Sequence, residues 1–302
     1  MTKRRLATVG DLVRHGTRRF RAAHVAFGQG TTNAFDEAVY LTLHALGQPP
    51  EPVFDRHLTE PQIRSVRSLF ERRIRERIPA AYLTGEAWLG DHRFRVDRRA
   101  IVPRSFIAEL LRDDIAPWVR NPSAVRAALD LCTGSGCLAV LLALSFPRAV
   151  VDASDVSGAA LKIARANVAA YRLGRRVRLL ESDLFSALAG RRYDLIVSNP
   201  PYVTTHSMRR LPREFRHEPA IALAGGEDGL DFVRRILAAS AAHLTPRGLL
   251  VVETGHRRHH VERAFPQMEF TWPLTSGGDD CVFLLGRSAL ARLPGPATRA
   301  KL

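Results

Sequence analysis

The chain has 302 residues, 46% of them hydrophobic, with a formal net charge of +15. This is the make-up of a soluble globular protein of one large or two smaller domains, and no apolar run approaches the roughly 20 residues that span a bilayer. Three cysteines (Cys132, Cys137, Cys281) at spacings that suit no structural zinc site point to small core residues in a reducing compartment. The basic excess, nearly all Arg, favours acidic partners such as RNA or a ribonucleoprotein surface. The basic start Met1–Arg5 is followed by no apolar stretch, so no secretory signal is read and a cytoplasmic location is expected.

Residues 1–80 read as helices. Val9, Leu12, Val13 and Phe20 fall near helical spacing, and a turn follows over Gly28–Asn33. Phe35, Ala38, Val39, Leu41, Leu43 and Leu46 form a second stripe, closed by Gly47-Gln48-Pro49-Pro50. A third helix starts near Thr59, with Ile63, Val66, Leu69, Phe70 and Ile74 inward and Pro79 at its end. Its Arg-rich face (Arg64, Arg67, Arg72, Arg73, Arg75, Arg77) reads as solvated surface. Residues 81–105 read as a β-hairpin linker, from Tyr82-Leu83-Thr84-Gly85 through Trp88, Phe94 and Val102. From Phe106 a helix leads towards Pro117-Trp118.

Regular alternation then begins. Strand-like runs at 127–132, 149–154, 177–181, 193–198, 248–253 and 281–286 enclose helical patterns at 138–145, 157–170 and 229–243. Residues 106–288 are therefore expected to form an α/β domain with a mostly parallel sheet, and 289–302 a disordered tail.

Chemistry gathers at the strand ends. Asp130-Leu131-Cys132-Thr133-Gly134-Ser135-Gly136 links the first strand of the sheet to a helix, where glycines let backbone approach a ligand and a helix start offers N–H groups. The loop alone fits a nicotinamide enzyme as well as a nucleoside-sulfonium enzyme. Asp155 ends the second strand, suited to ribose hydroxyls, and Asp183 follows the third, suited to an adenine amino group. After the fourth come Ser198-Asn199-Pro200-Pro201-Tyr202. The prolines stop the strand at the edge where open α/β sheets bind ligands. The Asn199 side-chain oxygen and the Pro200 carbonyl together suit the two hydrogens of a planar NH2 group, with Tyr202 as a flat wall. His256-Arg257-Arg258-His259-His260 lacks carboxylate partners in its own stretch and is read as a solvated helix start, so no metal is expected.

With these motifs the chain resembles class I S-adenosylmethionine-dependent methyltransferases, with a Rossmann-like fold, and within them the HemK/Prm family of bacterial protein-(glutamine-N(5)) methyltransferases. The resemblance runs from about residue 8 to 287. It includes Ala81–Glu86, the glycine loop, Asn199–Tyr202 and the segment His217-Glu218-Pro219 through Asp231. Val102-Pro103-Arg104-Ser105-Phe106, Ala87–Gly90 and Phe27–Ala38 are similar to the PrmB-like branch, which modifies large-subunit ribosomal protein three; Phe106 stands where that branch more often has Pro. The resemblance implies S-adenosyl-L-methionine against Asp130, Thr133, Gly134, Ser135, Gly136, Asp155, Asp183, Leu184 and Asn199. It implies a substrate glutamine against Asn199, Pro200, Pro201 and Tyr202, the chemistry resting on Asn199, Pro200 and Tyr202. The N-terminal helices would recognise the ribosomal protein, free or within an rRNA-containing assembly intermediate. Release-factor glutamines, adenine amino groups of RNA or DNA, and a non-catalytic role in ribosome assembly are the competing readings.

Overall fold

The computed structural model describes residues 7–49 and 51–291. Helix α1 (Val9–Ala22) starts at a capping box, with Thr8 Oγ1 accepting from Asp11 N and the Asp11 carboxylate accepting from Thr8 N. Helix α2 (Ala34–Ala45) is capped by Asn33, whose side-chain oxygen takes Phe35 N and Asp36 N. Helix α3 (Glu60–Glu76) carries Pro61 in its first turn, where a missing N–H costs nothing. It ends at Arg77, which turns left-handed (φ 57°) two residues before the expected stop at Pro79. Val13, Phe20, Leu41, Val66 and Phe70 pack between the three helices. Gly16 has no room for a side chain, since a Cβ would lie 2.6 Å from the Phe70 ring.

Two expectations for this region are corrected. Arg73 is not on a solvated face. It is 1% exposed, its Nε bonding Glu37 Oε1 at 2.7 Å and its Nη2 the Ala26 carbonyl at 2.7 Å. Tyr82-Leu83-Thr84 does not open the hairpin; it lies in a short helix, α4 (Ala80–Thr84), stopped by left-handed Gly85. The hairpin itself is β1 (Glu86–Leu89) against β2 (His92–Arg95), antiparallel. Helix α5 (Ile107–Arg112) follows, ending short of Pro117 because Asp114 and Ile115 take positive φ.

The sheet comprises β3 (Ala127–Leu131), β4 (Val150–Asp155), β5 (Val177–Glu181), β6 (Tyr193–Ser198), β7 (Leu244–Glu253) and β8 (Val282–Gly286), in the order β5-β4-β3-β6-β7-β8. All neighbours are parallel except β7 and β8. Strand alternation sends Ala128, Val151 and Val197 to one face and Leu129, Ile196 and Val252 to the other. Helix α6 (Cys137–Ser145) is buried nearly all round on the first face. Helix α7 (Gly158–Ala170) follows β4, and α8 (Thr205–Arg210) follows β6. Helix α9 (Asp231–His243) covers the second face through Val233, Ile236 and Leu237. Helices α10 (Arg258–Ala264) and α11 (Arg287–Leu290) complete the described chain; residues 292–302, most of the expected tail, lie outside it, as do Met1–Arg5 and Pro50.

The fold is an α/β domain on a mostly parallel six-stranded sheet, preceded by helices and a hairpin. Its parts are tied by side chains the pattern of hydrophobicity does not reveal. Asn167 on α7 imitates a strand partner for Arg95, accepting from its N–H at 2.7 Å and donating to its carbonyl at 2.9 Å. The same amide also donates to the Ser135 carbonyl in the glycine loop.

Candidate active site

A cavity of about 410 Å3 opens at the carboxyl edge of β3, β4, β5 and β6. Gly134, Asp155, Asp183, Leu184, Asn199, Pro200, Pro201 and Tyr202 all line it, so the structure draws together most of the residues singled out from the sequence. Asp130, Thr133, Ser135 and Gly136 stand behind its wall. Asp130 is fully buried and accepts from Thr133 Oγ1 at 2.5 Å; burial pushes its carboxyl up to about 7. Gly136 serves packing: it takes φ 78°, and a Cβ would lie 2.9 Å from that of Ala164 on α7.

On the β3–β5 side one acid is oriented by backbone and the other by an arginine. Asp155 Oδ2 accepts from Gly134 N and Oδ1 from Ser157 N, both at 2.8 Å, while burial raises its pKa. Asp183 is about half exposed and pairs with Arg235 at 2.7 Å. Cys132 (φ 64°) and Leu184 (φ 49°) both line the cavity in the left-handed region, costing roughly 1–2 kcal/mol each, a strain typical of functional edges.

The β6–β7 side is assembled from distant segments. Asn199 Nδ2 donates to the Arg104 carbonyl at 3.1 Å. The reverse amide orientation would set two oxygens against each other, so the bond fixes Oδ1 as the outward acceptor, and among the described residues nothing donates to it. The Pro200 carbonyl is likewise without a protein donor among the described residues. Arg104 is held by a bidentate pair with fully buried Glu218 (2.7 and 2.8 Å), which also accepts from Val102 N. Tyr202 sits among three glycines: a Cβ at Gly225, Gly229 or Gly255 would come within 2.6, 2.4 and 2.9 Å of it. Arg257 Nε bonds the Tyr202 carbonyl at 3.1 Å, and the Tyr202 hydroxyl meets Glu253 Oε1 at 3.4 Å.

Residues 119–226 match the family model described as Methyltransferase small domain. Over 291 residues the chain is 55% identical to the ribosomal protein uL3 glutamine methyltransferase of Bordetella pertussis, covering 95% of this chain and 98% of that one. The protein of the same name from Burkholderia pseudomallei is 52% identical, with 95% and 97% covered, and that of Xylella fastidiosa strain 9a5c 46% identical, with 88% and 86% covered. The chain belongs to the ribosomal protein uL3 glutamine methyltransferase family.

Several residues of the site escape a reading by motif alone. Arg104, Glu218, Glu253 and Arg257 lie in segments whose sequence was notable, yet nothing in spacing tells that they converge on Asn199 and Tyr202. The repeated glycines at 225, 229 and 255 were the available signal, since each leaves room for one bulky neighbour. Phe106, the departure from the PrmB-like pattern, is accommodated by Gly277, where a Cβ would lie 2.4 Å from its ring. The carboxylate missing near His256 comes from Asp280, at 3.0 Å from Nδ1, with Cys281 Sγ 3.4 Å from the same nitrogen.

Proposed function

We propose that the protein transfers a methyl group from S-adenosyl-L-methionine to the side-chain amide nitrogen of a glutamine in ribosomal protein uL3. The observation that carries this reading is the anchored amide of Asn199, whose oxygen is presented as an acceptor beside the Pro200 carbonyl. Two acceptors side by side match the two hydrogens of a primary carboxamide. The names of the relatives support both the reaction and the protein that carries the glutamine.

The donor fits the residues present. Asp155, whose two oxygens are already oriented by Gly134 and Ser157, would take ribose hydroxyls, and Asp183 would face the adenine amino group. Leu184 and Phe232 offer apolar walls for a base. When bound, S-adenosylmethionine supplies an electrophilic methyl group.

The protein's share of the chemistry is positioning. A carboxamide nitrogen is a weak nucleophile because its lone pair is shared with the carbonyl. Accepting both N–H hydrogens at Asn199 Oδ1 and the Pro200 carbonyl fixes the nitrogen's orientation and favours positive charge developing there. The methylated nitrogen is strongly acidic, so its proton leaves without a dedicated strong base. Tyr202, held by its three glycines and by Arg257, walls the acceptor and limits water.

The test offers radiolabelled S-adenosylmethionine and ribosomal particles from cells lacking this enzyme to the purified protein, then maps the label by mass spectrometry. Label on a glutamine of uL3 is expected. Label on an RNA adenine would keep the site and overturn the acceptor. No label on any particle or release factor, despite cofactor binding, would favour a non-catalytic role in assembly.

A further inference from the structure

Glu253 ends β7, beside the end of β6 that leads into Asn199, and its side chain is buried without a salt bridge among the described residues. The cation whose charge acts on it, Arg104, is already committed to both oxygens of Glu218. A buried carboxylate without its own counter-ion is costly, so its hydrogen bonds define what it is for. Oε2 accepts from Ser105 Oγ at 2.5 Å and Phe106 N at 2.9 Å; Oε1 accepts from the Tyr202 hydroxyl at 3.4 Å. Ser105 directly follows Arg104, whose carbonyl anchors the Asn199 amide. One carboxyl group therefore grips both ends of the Asn199–Tyr202 motif: Tyr202 directly, and Asn199 through the segment 104–106.

Resting on the function proposed above, we infer that Glu253 is a positioning residue for the transfer, setting the distance between the Asn199 acceptor and the Tyr202 wall. All three of its partners donate, and Phe106 N can only donate. A proton on the carboxyl therefore forces the Ser105 or Tyr202 hydroxyl to turn round and accept, loosening one end of the grip. The charged and titratable groups facing it are Arg104 with Glu218, Tyr202, and Cys281 at the head of β8. Burial raises the Tyr202 hydroxyl and pushes the Cys281 thiol up to about 12, so neither changes charge near neutrality. Burial also pushes the Glu253 carboxyl up to about 7, so its grip tightens as pH rises through that value.

The experiment compares the full-length protein with Glu253→Gln and Ser105→Ala, measuring kcat, KM for the acceptor, cofactor affinity and the pH profile of kcat. Glu253→Gln is expected to lower kcat by about 10- to 100-fold, the scale of an ångström-level misplacement, with cofactor affinity within about twofold. The acidic limb of its kcat profile should disappear. In Ser105→Ala the limb should move to higher pH, because the Ser105 hydrogen bond holds the carboxyl down. This second variant separates Glu253 from Asp130, which titrates in the same range behind the other wall. A folded Glu253→Gln protein with near wild-type kcat, or one that keeps the limb, overturns the inference. If Glu253→Gln loses its fold, an unmoved limb in Ser105→Ala overturns it instead. Failure of the wild type to label any glutamine overturns the proposed function itself.

Discussion

The two halves of the cavity are built on different plans. Around β3, β4 and β5 most of the support comes from the strand-end turns themselves: Asp155 is held by the backbone N–H groups of Gly134 and Ser157 and Asp130 by the Thr133 hydroxyl, with Asp183 alone reaching a distant partner, Arg235. Around β6 and β7 every key side chain is held by a group from far away. Asn199 depends on Arg104, Arg104 on Glu218, and Tyr202 on Glu253 and Arg257. The first half is a set of strand-end turns, the side proposed here for the nucleoside. The second is a framework of converging segments, suited to holding a poor nucleophile still. Binding and turnover should accordingly respond to separate substitutions.

The largest expected effect is on the second half. Asn199→Ala should lower kcat by roughly 100- to 1000-fold, the usual loss for a preorganised hydrogen-bonding group, while the affinity for S-adenosylmethionine measured by calorimetry stays close to wild type. An equal loss of cofactor affinity would mean the halves are not separable. Next comes Asp155→Ala, which removes an acceptor for two backbone N–H groups and for the expected ribose. It should weaken cofactor binding by roughly 10- to 100-fold, with kcat at saturating cofactor much less affected. A large fall in saturated kcat would break the comparison from the other side.

Gly225→Ala tests the framework without touching a polar group. The added methyl would meet Tyr202 Cα at 2.6 Å, and overpacking of this kind costs about 1–3 kcal/mol. Denaturant unfolding should show that loss, and the acceptor KM should rise with it. An undiminished midpoint would show that the loop yields freely.

The smallest effect is a pH dependence of stability. The Asp130 carboxyl, pushed up to about 7 by burial, holds a proton in the folded state that the unfolded chain releases near 4. Its contribution to stability is therefore full below about pH 4 and lost as pH rises through 7. Asp130→Asn should flatten the change in melting temperature between pH 4.5 and 7.5 relative to wild type. An unchanged slope would show that Asp130 is ionised in the native protein.

The same contrast explains what was legible in the sequence. Sheet and helices could be read because strands such as Leu195–Val197 are apolar runs cut off by prolines, and the Gly134 loop and the acids after it sit at successive strand ends. Asn199, Pro200 and Tyr202 were legible as cavity lining, and as the proposed grip on an NH2 group, because two prolines end an apolar strand there. The supports of that grip were not. Arg104, Glu218, Glu253 and Arg257 meet only through tertiary packing, and no local periodicity encodes such a meeting. Arg73 misled for a related reason: amid exposed arginines on α3, its burial depends on Glu37 from another helix. Tyr82 to Thr84 read as strand because aromatic and β-branched residues favour that state, whereas left-handed Gly85 closes a helical turn and the Tyr40 hydroxyl meets Thr84 Oγ1 at 2.6 Å.

The buried Arg73–Glu37 pair has a consequence for modularity. It extends through Glu214, which accepts from Ala26 N and Arg77 at 3.1 Å each and precedes Phe215 in the cavity wall. The N-terminal helices thus supply both the counter-charge and the backbone donor for a segment that closes the catalytic chamber. Detaching them would leave Glu214 with neither, and exchanging them for another helical unit would require a matching arginine and turn in the replacement. In this architecture the N-terminal helices cannot be traded independently of the segment that lines the cavity.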